Sequence, residues 1–110
     1  MKYLIVNPGG TTVQGEGVLD ADVLHSLVGG DFEVMPTPDG LKVTVLASTD
    51  AKRLGQPANH AATRLLKTRL RPDDFVAGTI VVVGPINEEG DVTDLDDDTG
   101  RAVVGRMTTP

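Results

Sequence analysis

The sequence predicts an α+β fold, a four- to five-stranded mixed or antiparallel sheet packed with two helices, and three observations carry that prediction. Two segments repeat apolar residues every three or four positions between recognisable caps. Two others alternate apolar and polar residues, and one run, Thr79-Ile80-Val81-Val82-Val83, is apolar at every position after the first. These are the patterns of helices buried along one side, strands covered on one face and a strand covered on both.

Taken in order, Tyr3 to Val6 is a short apolar run stopped by Asn7-Pro8-Gly9-Gly10, residues that favour turn backbone, and is expected to be a strand. From Asp20, a capping residue, Val23, Leu24, Leu27 and Val28 fall on one helical face, and Gly29-Gly30 supplies the stop. Phe32 and Val34 alternate with Asp31 and Glu33, as Leu41, Val43 and Val45 do with Lys42 and Thr44. With Thr37-Pro38-Asp39-Gly40 as the turn between them, these make a hairpin. Ala58, Ala61, Ala62, Leu65, Leu66 and Leu70 recur at helical spacing between Pro57 and Pro72 and form the strongest helix signal in the chain.

Residues Glu88 to Asp98 hold seven of the sixteen acids and read as an exposed loop, because so many carboxylates resist desolvation together. Ala102-Val103-Val104 reads as a last short strand. The organisation expected is one α+β domain over residues 1–98, with 99–110 a C-terminal strand or flexible tail. The order β-α-β-β-α-β suits a split βαβ, ferredoxin-like sheet with its helices on one face. That topology places its last strand at an edge, whereas the apolar run Ile80 to Val83 asks for a central position.

Composition narrows the functions. With 110 residues, 39 % hydrophobic and 24 % charged, the chain has the balance of one globular core. The lack of cysteine excludes disulfides and thiolate metal sites and suits a reducing, cytoplasmic setting. The N-terminus lacks a signal-peptide pattern and no apolar run approaches membrane-spanning length, so neither secretion nor a membrane is expected. A net charge of −6 opposes nucleic-acid binding, and Tyr3, Phe32 and Phe75 are too few for a base-stacking platform.

Motifs that might carry chemistry are incomplete. The segment Gly10 to Gly17 has the glycine spacing of a phosphate-binding loop, but Glu16 stands where the lysine belongs and Gly17 where the hydroxyl belongs, which leaves a flexible loop. Asp94, Asp96 and Asp98 alternate like calcium ligands, yet the turn glycine comes one place late, at Gly100, and Gly105 occupies the twelfth position. His25 and His60 lack metal-ligand spacing, and no nucleophile elbow surrounds Ser26 or Ser48. No metal, cofactor or catalytic residue is therefore expected.

One cluster stands out. His60, Arg64, Lys67 and Arg71 follow one another at three- and four-residue intervals, a basic stripe on the second helix of an acidic protein, with Lys52 and Arg53 just upstream. Guanidinium pairs well with planar oxyanions, so the stripe is a candidate site for a phosphate, a carboxylate ligand or an acidic partner. Asn59 is positioned to cap the helix and expose backbone N–H groups beside Arg64, which adds it to the candidate ligand residues.

Three segments, Val28-Gly29-Gly30-Asp31-Phe32-Glu33-Val34, Gly55-Gln56-Pro57-Ala58-Asn59-His60-Ala61-Ala62-Thr63 and Ala77-Gly78-Thr79-Ile80-Val81-Val82-Val83-Gly84, resemble an uncharacterised family of small domains found in bacteria, phages and conjugative elements. Members usually carry an Asn-acidic-x-Gly-Lys stretch where this chain reads Ser48-Thr49-Asp50-Ala51-Lys52. The resemblance implies an accessory protein of mobile genomes, with countering of host defence as a role that setting would fit.

The function expected from these readings is a non-catalytic accessory binding protein that captures a small anionic, nucleotide-like ligand at Asn59, His60, Arg64, Lys67 and Arg71. So small a domain makes a shallow pocket alone, so a homo-oligomer is expected with it. The alternative is an acidic inhibitor whose Asp94, Asp96, Asp97 and Asp98 imitate phosphate charge for a host protein such as a nuclease or restriction enzyme. A third reading is a small hydrolase using carboxylates such as Asp31 and Glu33, which alternation places on one strand face.

Overall fold

The computed structural model describes residues 1–108. Its elements are β1 (Lys2–Val6), β2 (Thr12–Glu16), α1 (Ala21–Val28), β3 (Phe32–Val34), β4 (Thr44–Ser48), α2 (His60–Leu66), β5 (Ile80–Val83) and α3 (Asp97–Thr108). The strands form one sheet in the order β2-β1-β5-β4-β3, and every neighbouring pair is antiparallel. The class is α+β, as the sequence patterns predict, with five strands and three α-helices among the described residues.

The position of β5 follows from its side chains. Ile80, Val81, Val82 and Val83 are all fully buried, so the strand needs cover on both faces as well as a partner on each edge. It receives β1 and β4 as partners, with Val82 opposite both Leu4 and Val45. The split βαβ order would have put this last strand at an edge, so the sheet departs from it. The helices also divide between faces. Ile80 and Val82 pack into one cluster with Leu65, Leu66, Val103 and Met107 of α2 and α3, whereas Val81 and Val83 meet Leu24 and Val28 of α1 on the opposite side. Burying each such aliphatic side chain contributes roughly 1.5–3 kcal/mol, which makes this three-layer arrangement more favourable than a sheet with one bare face.

Helix α1 forms where its caps place it. The Asp20 carboxylate accepts from the Val23 N–H at 2.9 Å, and Gly29 ends the helix in the left-handed conformation that a side chain would resist. The β3–β4 hairpin is present but its second strand lies later than the alternation suggests, with Phe32 opposite Ser48 and Val34 opposite Leu46. Met35 still donates to the Val45 carbonyl at 2.8 Å, but Pro36 and Pro38 cannot donate to a ladder, so the chain leaves the sheet at Pro36 and rejoins it only at Thr44.

Two segments differ from expectation. Thr12–Glu16, expected as a flexible loop, is an edge strand returning from β1 through a turn in which Asn7 donates to the Thr11 carbonyl at 2.9 Å. Asp97–Thr108, expected as the end of the acidic loop followed by a strand or tail, is α3; Thr109 and Pro110 lie outside the described residues. Its propensity is poor, with Gly100 and Gly105 inside it, but Val103 and Met107 stand one turn apart and both enter the core. A Cβ added at Gly105 meets nothing within 4 Å. Gly105→Ala is therefore expected to raise stability by about 0.5–1 kcal/mol in chemical denaturation, through helix propensity alone. A loss of stability would show that this turn is not helical in solution.

Candidate functional site

Asn59 shows how the fold uses a residue that sequence reasoning offers to a ligand. It is fully buried, its Oδ1 accepts from the Ala62 N–H at 3.0 Å, and its Nδ2 donates to the carbonyls of Val6 at 3.0 Å and Gly78 at 2.9 Å. One side chain thus caps α2 and ties it to β1 and to the segment entering β5. Its backbone N–H donates to the Val76 carbonyl at 2.7 Å, so the side chain and the backbone N–H of Asn59 are both engaged within the protein.

The basic stripe does not continue as one helical face. α2 ends at Leu66, Lys67 to Arg69 form a 3-10 turn, and Leu70 is extended, which breaks the register between Arg64 and Arg71. Arg64 donates from Nη1 to the Met107 carbonyl at 3.3 Å, bracing α2 against α3. His60, Lys67 and Arg71 are exposed, and none of the four stripe residues lines either of the two clefts described below.

The acidic residues are partly consumed by the structure. Asp94 accepts from the Lys2 N–H at 2.8 Å and lies 3.8 Å from the N-terminal ammonium. Asp96 caps α3, and the hydrogen bond from the Thr99 N–H at 2.7 Å holds its carboxyl below the ordinary aspartate range. Asp98 pairs with Arg101, and Asp97 lies in the first turn of α3. Such acids are what a helix N-terminus attracts. Asp31, just before β3, pairs with His25 at 2.8 Å, and Glu33 of β3 lines a cleft. Among the described residues no group of three or more histidines and carboxylates is placed to hold a metal ion, and no helix is long and apolar enough to cross a membrane.

Two loops that are far apart in sequence make that cleft. The segment 49–53 after β4 and the segment 70–77 before β5 face each other beside the β3–β4 edge and enclose about 380 Å³. Phe75 forms one wall and is 42 % exposed, an unusual setting for one of only two phenylalanines. The Lys52 ammonium lies 4.4 Å from the centroid of its ring and pairs with Asp74. Asp74 is held below the ordinary aspartate range chiefly by that hydrogen bond from Lys52, then by the Phe75 N–H at 2.8 Å, with Arg71 adding a smaller attraction. Arg53 pairs with Asp50 at 3.1 Å, which raises the guanidinium pKa further. Ser48 lies at the end of β4, with its buried Oγ lacking a hydrogen-bond partner.

The cleft therefore combines an aromatic face, two cations fixed by carboxylates and a further acid, Glu33, on the sheet edge. Sequence reasoning picks out Lys52 and Arg53 as cations next to the stripe but not Phe75, because nothing local says that this ring stays outside the core. A second cleft, of about 640 Å³, lies between β1–β2 and α3.

Fold and clefts together define a small α+β domain with ligand-sized concavities on both flanks of a central antiparallel sheet. The chain belongs to the family described as Domain of unknown function (DUF3846), whose pattern matches residues 1–108. No curated protein and no solved structure matches it.

Proposed function

We propose that this protein is a non-catalytic accessory binding protein that captures a small anionic, nucleotide-like ligand in the cleft between segments 49–53 and 70–77. The observation that carries the reading is the pairing of an exposed aromatic face with a fixed ammonium, Phe75 and Lys52, inside one concavity of about 380 Å³. Ligand pockets start at roughly 300 Å³, and a planar base with an attached phosphate offers both a surface for the ring and a partner for the cations. The Asp74 and Asp50 side chains are 37 % and 40 % exposed, so a phosphate that replaced them as partners of Lys52 and Arg53 would leave each carboxylate in contact with water. Glu33 lines the same cleft, which supports the reading because a carboxylate accepts from an amino group such as a base carries. The setting, a phage or mobile element with an anti-defence role in the cytoplasm, belongs to the same proposal and draws its support from the resemblance of the Gly55–Thr63 and Ala77–Gly84 segments to a family of such genomes.

Calorimetry against a panel of linear and cyclic mono- and dinucleotides tests this reading. At least one should bind, and Phe75→Ala or Lys52→Ala should weaken it about tenfold or more, a change of roughly 1.4 kcal/mol, at unchanged melting temperature. Arg64→Ala should leave binding unaltered. Silence across the panel, or binding lost with Arg64 but kept without Lys52, overturns the assignment to this cleft.

A further inference from the structure

The two edges of the sheet are protected very differently. β3 is three residues long, and Pro36 follows it closely with no N–H to offer. β2 has five residues and contains no proline, no lysine and no acid before its last position. Asn7 donates to the Thr11 carbonyl and Gly17 donates to the Met1 carbonyl, so the odd-numbered residues here carry the bonds to β1. Antiparallel alternation then leaves the N–H and C=O groups of Thr12, Gln14 and Glu16 pointing outward.

We infer that β2 pairs antiparallel with β2 of a second copy of this chain, about a twofold axis at Gln14, to give a continuous ten-stranded sheet. In that register Gln14 meets the partner's Gln14 and Thr12 meets the partner's Glu16, so each outward-facing backbone group finds an outward-facing counterpart. No like charges stand opposite each other. Glu16 meets a threonine across the axis and has Lys2 opposite it on β1, so the edge is locally neutral in a molecule of net charge −6.

The other face of the edge is complementary in shape. Gly15 lies opposite Tyr3, whose ring occupies the space that a Cβ at Gly15 would fill. Val13, 45 % exposed in the single chain, would stand directly opposite the partner's Gly15, beside the partner's Tyr3 ring. The pairing covers both valines and both rings by symmetry. An unrelated extended peptide could use the same backbone groups, but the twofold register sets Thr12 against Glu16, Val13 against the glycine that lies beneath the Tyr3 ring, and Gln14 against itself, and that complementarity of charge and shape favours a second copy.

Sedimentation velocity over a concentration series, with amide hydrogen exchange, tests the inference on the full chain. The wild type should move from 11.5 kDa toward twice that mass as concentration rises. In step with it, the amides of Thr12, Gln14 and Glu16 should gain protection while those of Val13 and Gly15 stay protected throughout. Gln14→Pro removes a donor that the single chain does not use and should abolish association, with a melting temperature equal to that of the wild type at concentrations where both are single chains. Thr12→Glu, which sets carboxylate against carboxylate, should weaken association about tenfold, and Thr12→Lys should strengthen it. A wild type that stays at 11.5 kDa throughout, or a dimer that survives Gln14→Pro, overturns the pairing.

Discussion

Replacing Asn59 with alanine is expected to lower the stability of the protein by about 3–5 kcal/mol, since each buried backbone group left unpaired costs roughly 1–3 kcal/mol. Three such groups depend on it, the N–H of Ala62 and the carbonyls of Val6 and Gly78. The intact side chain is fully buried, so cutting it back leaves these groups away from bulk solvent. In a domain of this size the melting temperature should fall by more than roughly 10 °C. Asn59→Asp separates the two halves of the role. The carboxylate retains the cap on Ala62 but aims negative charge at two carbonyls, so its own pKa rises in the folded state. That variant should be strongly destabilised at neutral pH and should recover part of the loss as pH falls and it protonates, the reverse of the usual aspartate behaviour. An alanine variant within about 1 kcal/mol of wild type would show that the three bonds do not form in solution.

The same residue shows what the sequence can and cannot reveal. A capping role for Asn59 is legible from local pattern, as are α1 with its Asp20 and Gly29 caps and the central position of β5, because each depends on residues a few places apart. The bonds from Asn59 to Val6 and Gly78 span 53 and 19 residues, and no local pattern encodes them. β2 escapes notice for a related reason. An edge strand with both faces largely wet has little apolar periodicity to display, and Val13 is its one large apolar residue. The candidate site follows suit. The stripe from His60 to Arg71 presumes a helix that continues to its end, while the cleft that holds Lys52 and Phe75 exists only where two distant loops meet.

The helix α3 is the clearest case of tertiary packing overruling local preference, and it carries the other large expected effect. Val103 is fully buried among residues that include Leu65, Leu66 and Met107. Val103→Asp would place a carboxylate there with no cation or donor to meet it, at a cost on the order of 4 kcal/mol or more, a large fraction of the 5–15 kcal/mol that holds a typical domain folded. Because α3 has little helical tendency of its own, its undocking should also remove helical signal in far-ultraviolet circular dichroism. A strand through this region would set 103, 105 and 107 on one face, whereas a helix sets 103 and 107 together and turns 105 away. Met107→Asp should therefore reproduce the loss seen with Val103→Asp, in contrast to the gain expected from Gly105→Ala. If Val103→Asp unfolds at the same denaturant concentration as wild type, α3 does not cover this face of the sheet, and the core described for it is wrong.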